Sequence, residues 1–130
     1  MFIELDFQSE TPIYEQLKTE IIVGIASGQL TPGERLPSVR QMASDIGINL
    51  HTVNKAYTQL KEEGYLLIHR QRGVVVNPEG PEAMTKERQA QLRQILRPLI
   101  ADSLCRQMTE KELTTFIQSI YDELKEDRSK

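Results

Sequence analysis

A single glycine interrupts the most constraining stretch of this sequence, "LPSVRQMASDIGINLHTVNKAY", which spans residues 36–57. Ser38 and Gln41 match an S-x-x-Q capping box, so a helix is predicted to begin at Ser38. Gly47 then ends this helix, because glycine adopts the left-handed backbone of a helix end without strain. Asn49 is a suitable cap for the next helix. The stretch therefore predicts two short helices that cross at a sharp turn.

Apolar residues at helical spacing support three helices in the first half of the chain. A first helix begins with Thr11 as its cap and Pro12 in its first position, and Gly28 follows its end. The inner residues of the three helices are, in order, Ile13, Leu17, Ile21 and Ile25; Val39, Met42, Ala43 and Ile46; and Val53, Ala56, Tyr57 and Leu60.

A tight turn and a hairpin complete this half. Pro32 and Gly33 suit the two central positions of a type II turn, because the second of these needs a positive φ. After Gly64, the segments "YLLIH" and "GVVV" have the composition of strands, and "RQR" connects them as a hairpin. The order of helix, turn, helix, turn, helix and hairpin is that of a winged helix. The predicted fold class is mainly α with a small β-hairpin, a winged helix-turn-helix domain over residues 1–76.

Beyond the winged domain, "NPEGP" at residues 77–81 has the composition of a linker, and residues 82–130 are predicted to form two helices. The first helix is expected to run from Glu82 to Gln107, to be about 40 Å long and to be kinked or weakened at Pro98. A capping box from Thr109 to Glu112 begins the second helix.

Two amphipathic helices are too small to form an independent core. Their apolar faces therefore need a partner, and a second copy of the chain is the favoured one, which gives a twofold homodimer. Folding of these faces back onto the winged domain of the same chain is the alternative. The predicted dimerisation residues are Leu92, Ile95, Leu96, Leu99, Leu113, Phe116, Ile117 and Ile120.

Charge is unevenly distributed along the chain. The formal net charge is −3, which by itself does not favour a nucleic-acid partner. Residues 34–76, however, hold six basic and four acidic side chains, whereas the segments before and after them are net acidic. A local patch determines which partner binds, whereas the total charge governs solubility. The weak positive excess thus lies around the two short helices.

The start of the third helix is expected to be exposed, because the inner residues of that helix lie further along it. Helix N-termini reach base edges when a helix enters the DNA major groove. His51, Thr52 and Asn54 have polar groups suited to base edges, and Leu50 offers an apolar contact to thymine. Arg40 is placed to meet a phosphate or a base edge, and Arg70 and Arg72 to reach the DNA backbone or minor groove. Each of these residues, taken singly, is also compatible with an ordinary solvated surface.

The stretches "PIYEQL", "LPSVRQMA" and "TVNKAYTQL" resemble the N-terminal domain of the GntR superfamily of bacterial transcription regulators, in particular its YtrA subfamily. The resemblance extends from Thr11 to Val76. It implies a winged helix-turn-helix dimer that binds a double-stranded DNA operator, usually as a repressor. A twofold homodimer in turn predicts that this operator is palindromic. A small-molecule effector of unknown identity would have to act through the linker or the dimer helices.

The resemblance also implies which residues contact DNA. They are Arg40, Leu50, His51, Thr52, Asn54, Arg70, Arg72 and Gly73. The sequence departs from the family at Gln71, which replaces the first glycine of a frequent G-x-G wing and leaves the shape of the wing tip open.

Other function classes find little support. No metal-spaced set of His and Cys, no phosphate-binding glycine loop and no nucleophile arrangement is present, so neither a metal, a cofactor nor an enzymatic activity is expected. No apolar run is long enough for a membrane span, and "MFIELDF" does not resemble a signal peptide. The lone Cys105, interpreted as a buried apolar residue, agrees with a cytoplasmic location. A winged domain that binds another protein instead of DNA is the competing hypothesis.

Overall fold

The computed structural model describes residues 3–128. Outside it lie residues 1–2, which begin "MFIELDF" and the first predicted domain, and residues 129–130, which end the second. The described chain forms two compact units, one ending at Pro81 and one beginning at Glu82. The elements are α1 (Ile13–Ala26), α2 (Val39–Ile46), α3 (Leu50–Glu62), β1 (Leu66–His69), β2 (Gly73–Val76), α4 (Lys86–Cys105) and α5 (Glu110–Arg128). This architecture confirms the predicted winged helix followed by two further helices.

Helix α3 is the centre of the first unit. Its inner residues Val53, Ala56, Tyr57 and Leu60 are completely removed from solvent, and the helix packs against α1, α2 and β1. All of the predicted inner residues except Ile13 join the core or pack against it. Ile13 is only half-buried because it is the first residue of α1. Burial of one leucine-sized side chain contributes about 1.5–3 kcal/mol, so this shared core holds the three helices and the hairpin together.

The helix ends confirm most of the capping predictions. The Ser38 Oγ accepts a hydrogen bond from the Gln41 backbone N–H at 3.1 Å, and Gly47 ends α2 with a φ of 69°. Only half of the predicted capping box forms, because the Gln41 side chain donates to Asp45 and does not accept a bond from the Ser38 N–H. At α1 the prediction was one residue early: Pro12 occupies the cap position, and no side chain caps this helix.

The hairpin pairs β1 with β2 in antiparallel register, with Leu66 opposite Val76 and His69 opposite Gly73. The turn at Pro32 and Gly33 is confirmed by a bond of 3.0 Å from the Glu34 N–H to the Thr31 carbonyl and by a φ of 81° at Gly33. Leaving this turn, the chain pairs with the outer edge of β2 through an isolated bridge. The wing is therefore attached to the helices through a third extended segment.

Two polar contacts connect distant parts of the winged unit. The Tyr57 hydroxyl donates to the Pro37 carbonyl at 2.9 Å, which joins the middle of α3 to the chain entering α2. Lys18 on α1 donates to Gln59 at 2.9 Å and lies 3.2 Å from the carboxylate of Glu63, at the far end of α3. Both contacts hold α3 at a set angle to its neighbours.

The second unit differs from the first because its helices lack a core. Among the described side chains from Glu82 to Glu126, none is buried. The capping box at Thr109 and Glu112 is confirmed, with both of its bonds at 3.1 Å. These bonds to Thr109 lower the pKa of Glu112.

Helix α4 is shorter than predicted. Thr85 caps it, and its C-terminal end precedes Gln107, which adopts a left-handed φ of 69°. Its 20 residues span about 30 Å instead of 40 Å. Pro98 lies inside α4 and does not end it. Cys105, expected to be buried, is exposed at the last turn, because the described part of this unit provides no core to receive it.

Tyr57→Phe tests the contact between α3 and the start of α2. The ring and its packing remain, but the Pro37 carbonyl loses its donor. We expect the free energy of unfolding to fall by about 1 kcal/mol, measured by chemical denaturation at neutral pH. Tyr121→Phe, at an exposed position, is the matched control and should leave stability unchanged.

The same variant has a signature in alkaline solution. Burial raises the pKa of the Tyr57 hydroxyl above its ordinary value of 10.0, so the unfolded chain ionises at lower pH than the folded chain. The stabilisation from this group is complete below pH 10 and is lost as the pH rises further. Tyr57→Phe should remove this part of the alkaline decline, and an identical decline in both proteins would contradict the assignment.

Candidate nucleic-acid interface

The turn between α2 and α3 sets the position of the exposed polar face. Gly47 reverses the chain, and the Ile48 N–H donates to the Ala43 carbonyl at 3.0 Å. The Asn49 side chain then accepts from the His51 N–H at 2.7 Å and caps α3, as the sequence predicted. Both ends of the turn are thus held by local hydrogen bonds, which gives the first residues of α3 a defined direction.

The first turn of α3 faces solvent because its inner residues face the core. Leu50, His51 and Asn54 are exposed, and Thr52 is half-buried. Leu50 leaves 38% of its surface in solvent, which is unusual for a leucine beside a well-formed core. The structure therefore brings together, on one accessible surface, the residues selected on this helix for base contacts. We call this surface, Leu50 to Asn54, the α3 face.

Lys55 follows the α3 face and is exposed. Its Nζ lies 3.9 Å from the centre of the Tyr14 ring on α1, in the geometry of a cation–π contact. This contact directs the Lys55 side chain towards α1 instead of outward. The two residues are more than forty positions apart in the sequence, so no local pattern predicted this contact.

Arg40 is exposed in the first turn of α2, where the sequence placed it. Arg70 and Arg72 are exposed in the three-residue connection between β1 and β2. Within residues 3–128, none of these three guanidinium groups forms a side-chain hydrogen bond or an ion pair. They are therefore available for anionic groups of a partner.

The structure also gives the shape of the wing tip. Gly73 has a φ of 74°, the conformation that closes a three-residue hairpin loop. Gln107 is the only non-glycine residue of the described chain with a positive φ, so the φ of Gln71 is not positive. Position 71 therefore does not require glycine. The replacement of glycine by Gln71 is thus compatible with a closed wing, and the required glycine is at position 73.

Arg35 lies at the base of the wing, and sequence reasoning did not select it. It was counted in the positive middle segment, but nothing local indicated its position. The bridge between Arg35 and Val75 brings it beside β2, and its guanidinium lies next to Gly73. The only sequence signal that could have placed Arg35 is the alternation of side chains along an extended segment. The segment that pairs with β2 forms a single bridge, and alternation cannot be recognised over so few residues.

Other kinds of site find no support in the described chain. No group of three or more His, Cys, Asp or Glu residues in the described residues could hold a metal ion. No helix among these residues has the length and apolar character needed to cross a membrane.

The fold and the α3 face define a winged helix-turn-helix protein, and comparisons identify its family. Residues 13–76 match the family described as "Bacterial regulatory proteins, gntR family". The "HTH-type transcriptional repressor YtrA" of Bacillus subtilis (strain 168) is 32% identical over 123 residues, which cover 95% of each chain. The chain therefore belongs to the GntR family of bacterial transcription regulators, and over nearly its whole length it resembles a YtrA-type member.

Two solved structures extend the comparison. A transcriptional antiterminator from Listeria monocytogenes EGD-e superposes with a TM-score of 0.86 at 25% identity, covering 95% of this chain and 92% of that one. The structure of AraR(DBD) in complex with operator ORX1 superposes with a TM-score of 0.52 at 28% identity, covering 58% of this chain and 98% of that one. The first similarity includes the C-terminal helices.

Asn49→Ala tests whether the cap positions the α3 face. Loss of the bond to the His51 N–H should cost about 1 kcal/mol of stability, whereas Asn49→Asp should retain it. Asn54→Ala, at an exposed asparagine of the same helix, is the control and should change stability by less than about 0.5 kcal/mol. Equal losses in the two alanine variants, measured by urea unfolding, would argue against a capping role.

Proposed function

We propose that this protein binds double-stranded DNA sequence-specifically, with the α3 face in the major groove. The observation that carries the proposal is the α3 face itself, an exposed helix start held in place by a capped turn. Arginines on α2 and on the wing, which have no side-chain partner within residues 3–128, flank it. The AraR(DBD) structure with its operator supports the proposal, because the same fold is bound to DNA there.

The residues of this surface have separate roles. His51, Thr52 and Asn54 read base edges through hydrogen bonds, and Leu50 contacts an apolar base edge such as the thymine methyl group. Arg40 contacts a phosphate or a base edge at the start of α2, and Arg70 and Arg72 contact the backbone beside the wing. The tight turn at Gly73 brings these two arginines close to the DNA. Backbone contacts set the register, and the α3 face supplies the sequence preference.

Repression is the favoured regulatory outcome, supported by the name of the Bacillus subtilis relative. Such a function needs no catalytic step and no cofactor, and it places the protein in the cytoplasm with the chromosome. A small-molecule effector stays a prediction.

The second unit supports a homodimer. Large apolar side chains along α4 and α5 are exposed although they recur at helical spacing, among them Leu92, Ile95, Leu96, Leu99, Phe116, Ile117 and Ile120. Leu113 is half-buried beside them. Exposed apolar side chains that recur along one side of a helix mark an interaction site. A second copy would bury the same surface on both chains, as a twofold interface requires.

A twofold dimer implies a palindromic operator. Two copies of α3 would enter half-sites about 34–36 Å apart, one turn of B-DNA, or a multiple of that distance.

DNA binding is tested by selecting sites from a pool of randomised duplexes with the full chain. Wild type should return an inverted repeat, and its affinity should fall steeply with salt because bound counterions are released. Thr52→Ala and His51→Ala should change the selected sequence more than the affinity. Thr58→Ala, also exposed on α3 but one turn further along, should return the wild-type sequence.

Arg40→Ala should weaken binding to every duplex and flatten the salt dependence, with the log–log slope falling by about 0.9 for each phosphate that the variant no longer neutralises. Lys61→Ala, at the opposite end of α3, is the control and should leave both quantities unchanged. Selection that enriches no sequence, with weak and salt-insensitive binding, would refute the proposal and favour a protein partner.

The dimer is tested by sedimentation. Leu96→Glu and Ile117→Glu place a charge in the apolar surface and should weaken self-association at least about tenfold, or 1.4 kcal/mol. Gln94→Glu introduces the same charge on α4 outside the predicted interface and should leave the dimer intact. A wild-type monomer at micromolar concentration, with and without DNA, would contradict the homodimer.

A further inference from the structure

We infer that Arg35 is an additional DNA-backbone contact, held beside the wing by the pairing of its backbone with β2 and with its guanidinium next to Gly73. The inference rests on the proposed DNA-binding function and adds to it a residue outside α2, α3 and the wing tip. It makes the surface beside the wing a site for phosphate groups.

Backbone pairing brings Arg35 to the wing. The Leu36 N–H donates to the Val74 carbonyl at 2.8 Å, and the Val76 N–H donates to the Glu34 carbonyl at 2.8 Å. These bonds surround the bridge between Arg35 and Val75. Because backbone atoms on both sides of Arg35 are held, its side chain starts from a defined point on the edge of β2.

The guanidinium then reaches along β2 to the glycine that closes the wing. A Cβ placed on Gly73 would lie 3.5 Å from the Arg35 Nε and 3.6 Å from its nearer terminal nitrogen. These are van der Waals distances, so the guanidinium plane packs beside the glycine backbone. The positive φ is what requires glycine at position 73, since a Cβ there would contact the guanidinium without a clash.

The charge of Arg35 is not neutralised within the described chain. Neighbouring acidic groups are engaged elsewhere: Glu34 accepts from the Thr31 N–H at 3.0 Å, and Asp45 accepts from Gln41 at 2.6 Å. Arg35 is exposed and forms no ion pair within residues 3–128. An exposed, positioned guanidinium without a partner presents its fork of N–H donors to solvent, and this fork matches the two oxygens of a phosphate.

Arg35 also completes a group of like charges. Together with Arg70 and Arg72 it places three unpaired arginines on one short hairpin and its neighbouring segment. Mutual repulsion disfavours such a group, and neutralisation by the DNA backbone removes the repulsion. The guanidinium lies beside Gly73, next to the connection that carries the two arginines assigned to the DNA backbone, and Arg35 is therefore assigned to the backbone as well.

The experiment measures the salt dependence of DNA binding for full-length Arg35→Ala and Arg35→Lys. The probes are the fluorescein-labelled duplex selected by wild type and a labelled duplex of arbitrary sequence. Arg35→Ala should weaken binding to both and lower the log–log salt slope by about 0.9, the value for one phosphate that is no longer neutralised. Arg35→Lys keeps the charge and should retain the wild-type slope. Lys61→Ala is the control, and none of the variants should change the selected sequence.

The salt slope separates a phosphate contact from a purely structural role. Arg35→Ala with lower affinity but an unchanged salt slope would show that Arg35 only supports the hairpin, and the inference would be wrong. Unchanged affinity and slope would overturn it while leaving the proposed function intact. If wild type binds neither duplex, the proposed function fails first, and the role of Arg35 fails with it.

Discussion

Burial of the inner side of α3 is the interaction on which the winged unit depends. Val53, Ala56, Tyr57 and Leu60 are withdrawn from water together, and α1, α2 and the hairpin all pack around them. The single hydroxyl in this set is satisfied by the Pro37 carbonyl, so the core contains no unpaired polar group within the described residues. Since an α-helix has only one such inner side, the same burial leaves the α3 face in water.

Charge explains how an acidic protein can present a surface suited to DNA. The net charge of −3 is a property of the whole chain, whereas binding depends on which charges are free where the partner lies. Lys18 is paired with Glu63, and Lys55 lies over Tyr14, so both cations serve the fold. The arginines on α2 and around the wing have no such partners within residues 3–128, and a small local excess of positive charge is therefore fully available.

The two units obtain stability in different ways. The winged unit buries its apolar residues internally, whereas α4 and α5 rely on capping and on intrahelical hydrogen bonds. Pro98 removes one backbone donor from α4, which leaves the Gln94 carbonyl without its helical partner. Most of the stability of a helix in a protein comes from packing of its amphipathic face, which α4 and α5 lack within the described chain. The exposed apolar surface thus gives this unit a strong reason to associate, and DNA recognition and assembly are assigned to separate parts of the chain.

The sequence by itself determined the features that depend on neighbours along the chain. Caps at Ser38 and Asn49, the turn at Gly33 and the break at Gly47 involve hydrogen bonds and φ angles within a few residues, so they could be predicted. The predictions for the Gln41 side chain and for the ends of α4 were wrong. In each case two local hydrogen-bond partners, or two signals for a helix end, competed. Only the tertiary structure decided the position of Lys55 over Tyr14, the exposure of Cys105 and the contact of Arg35 with Gly73. These depend on which distant segments pack together, and packing is selected by the burial of the whole core and not by any local pattern.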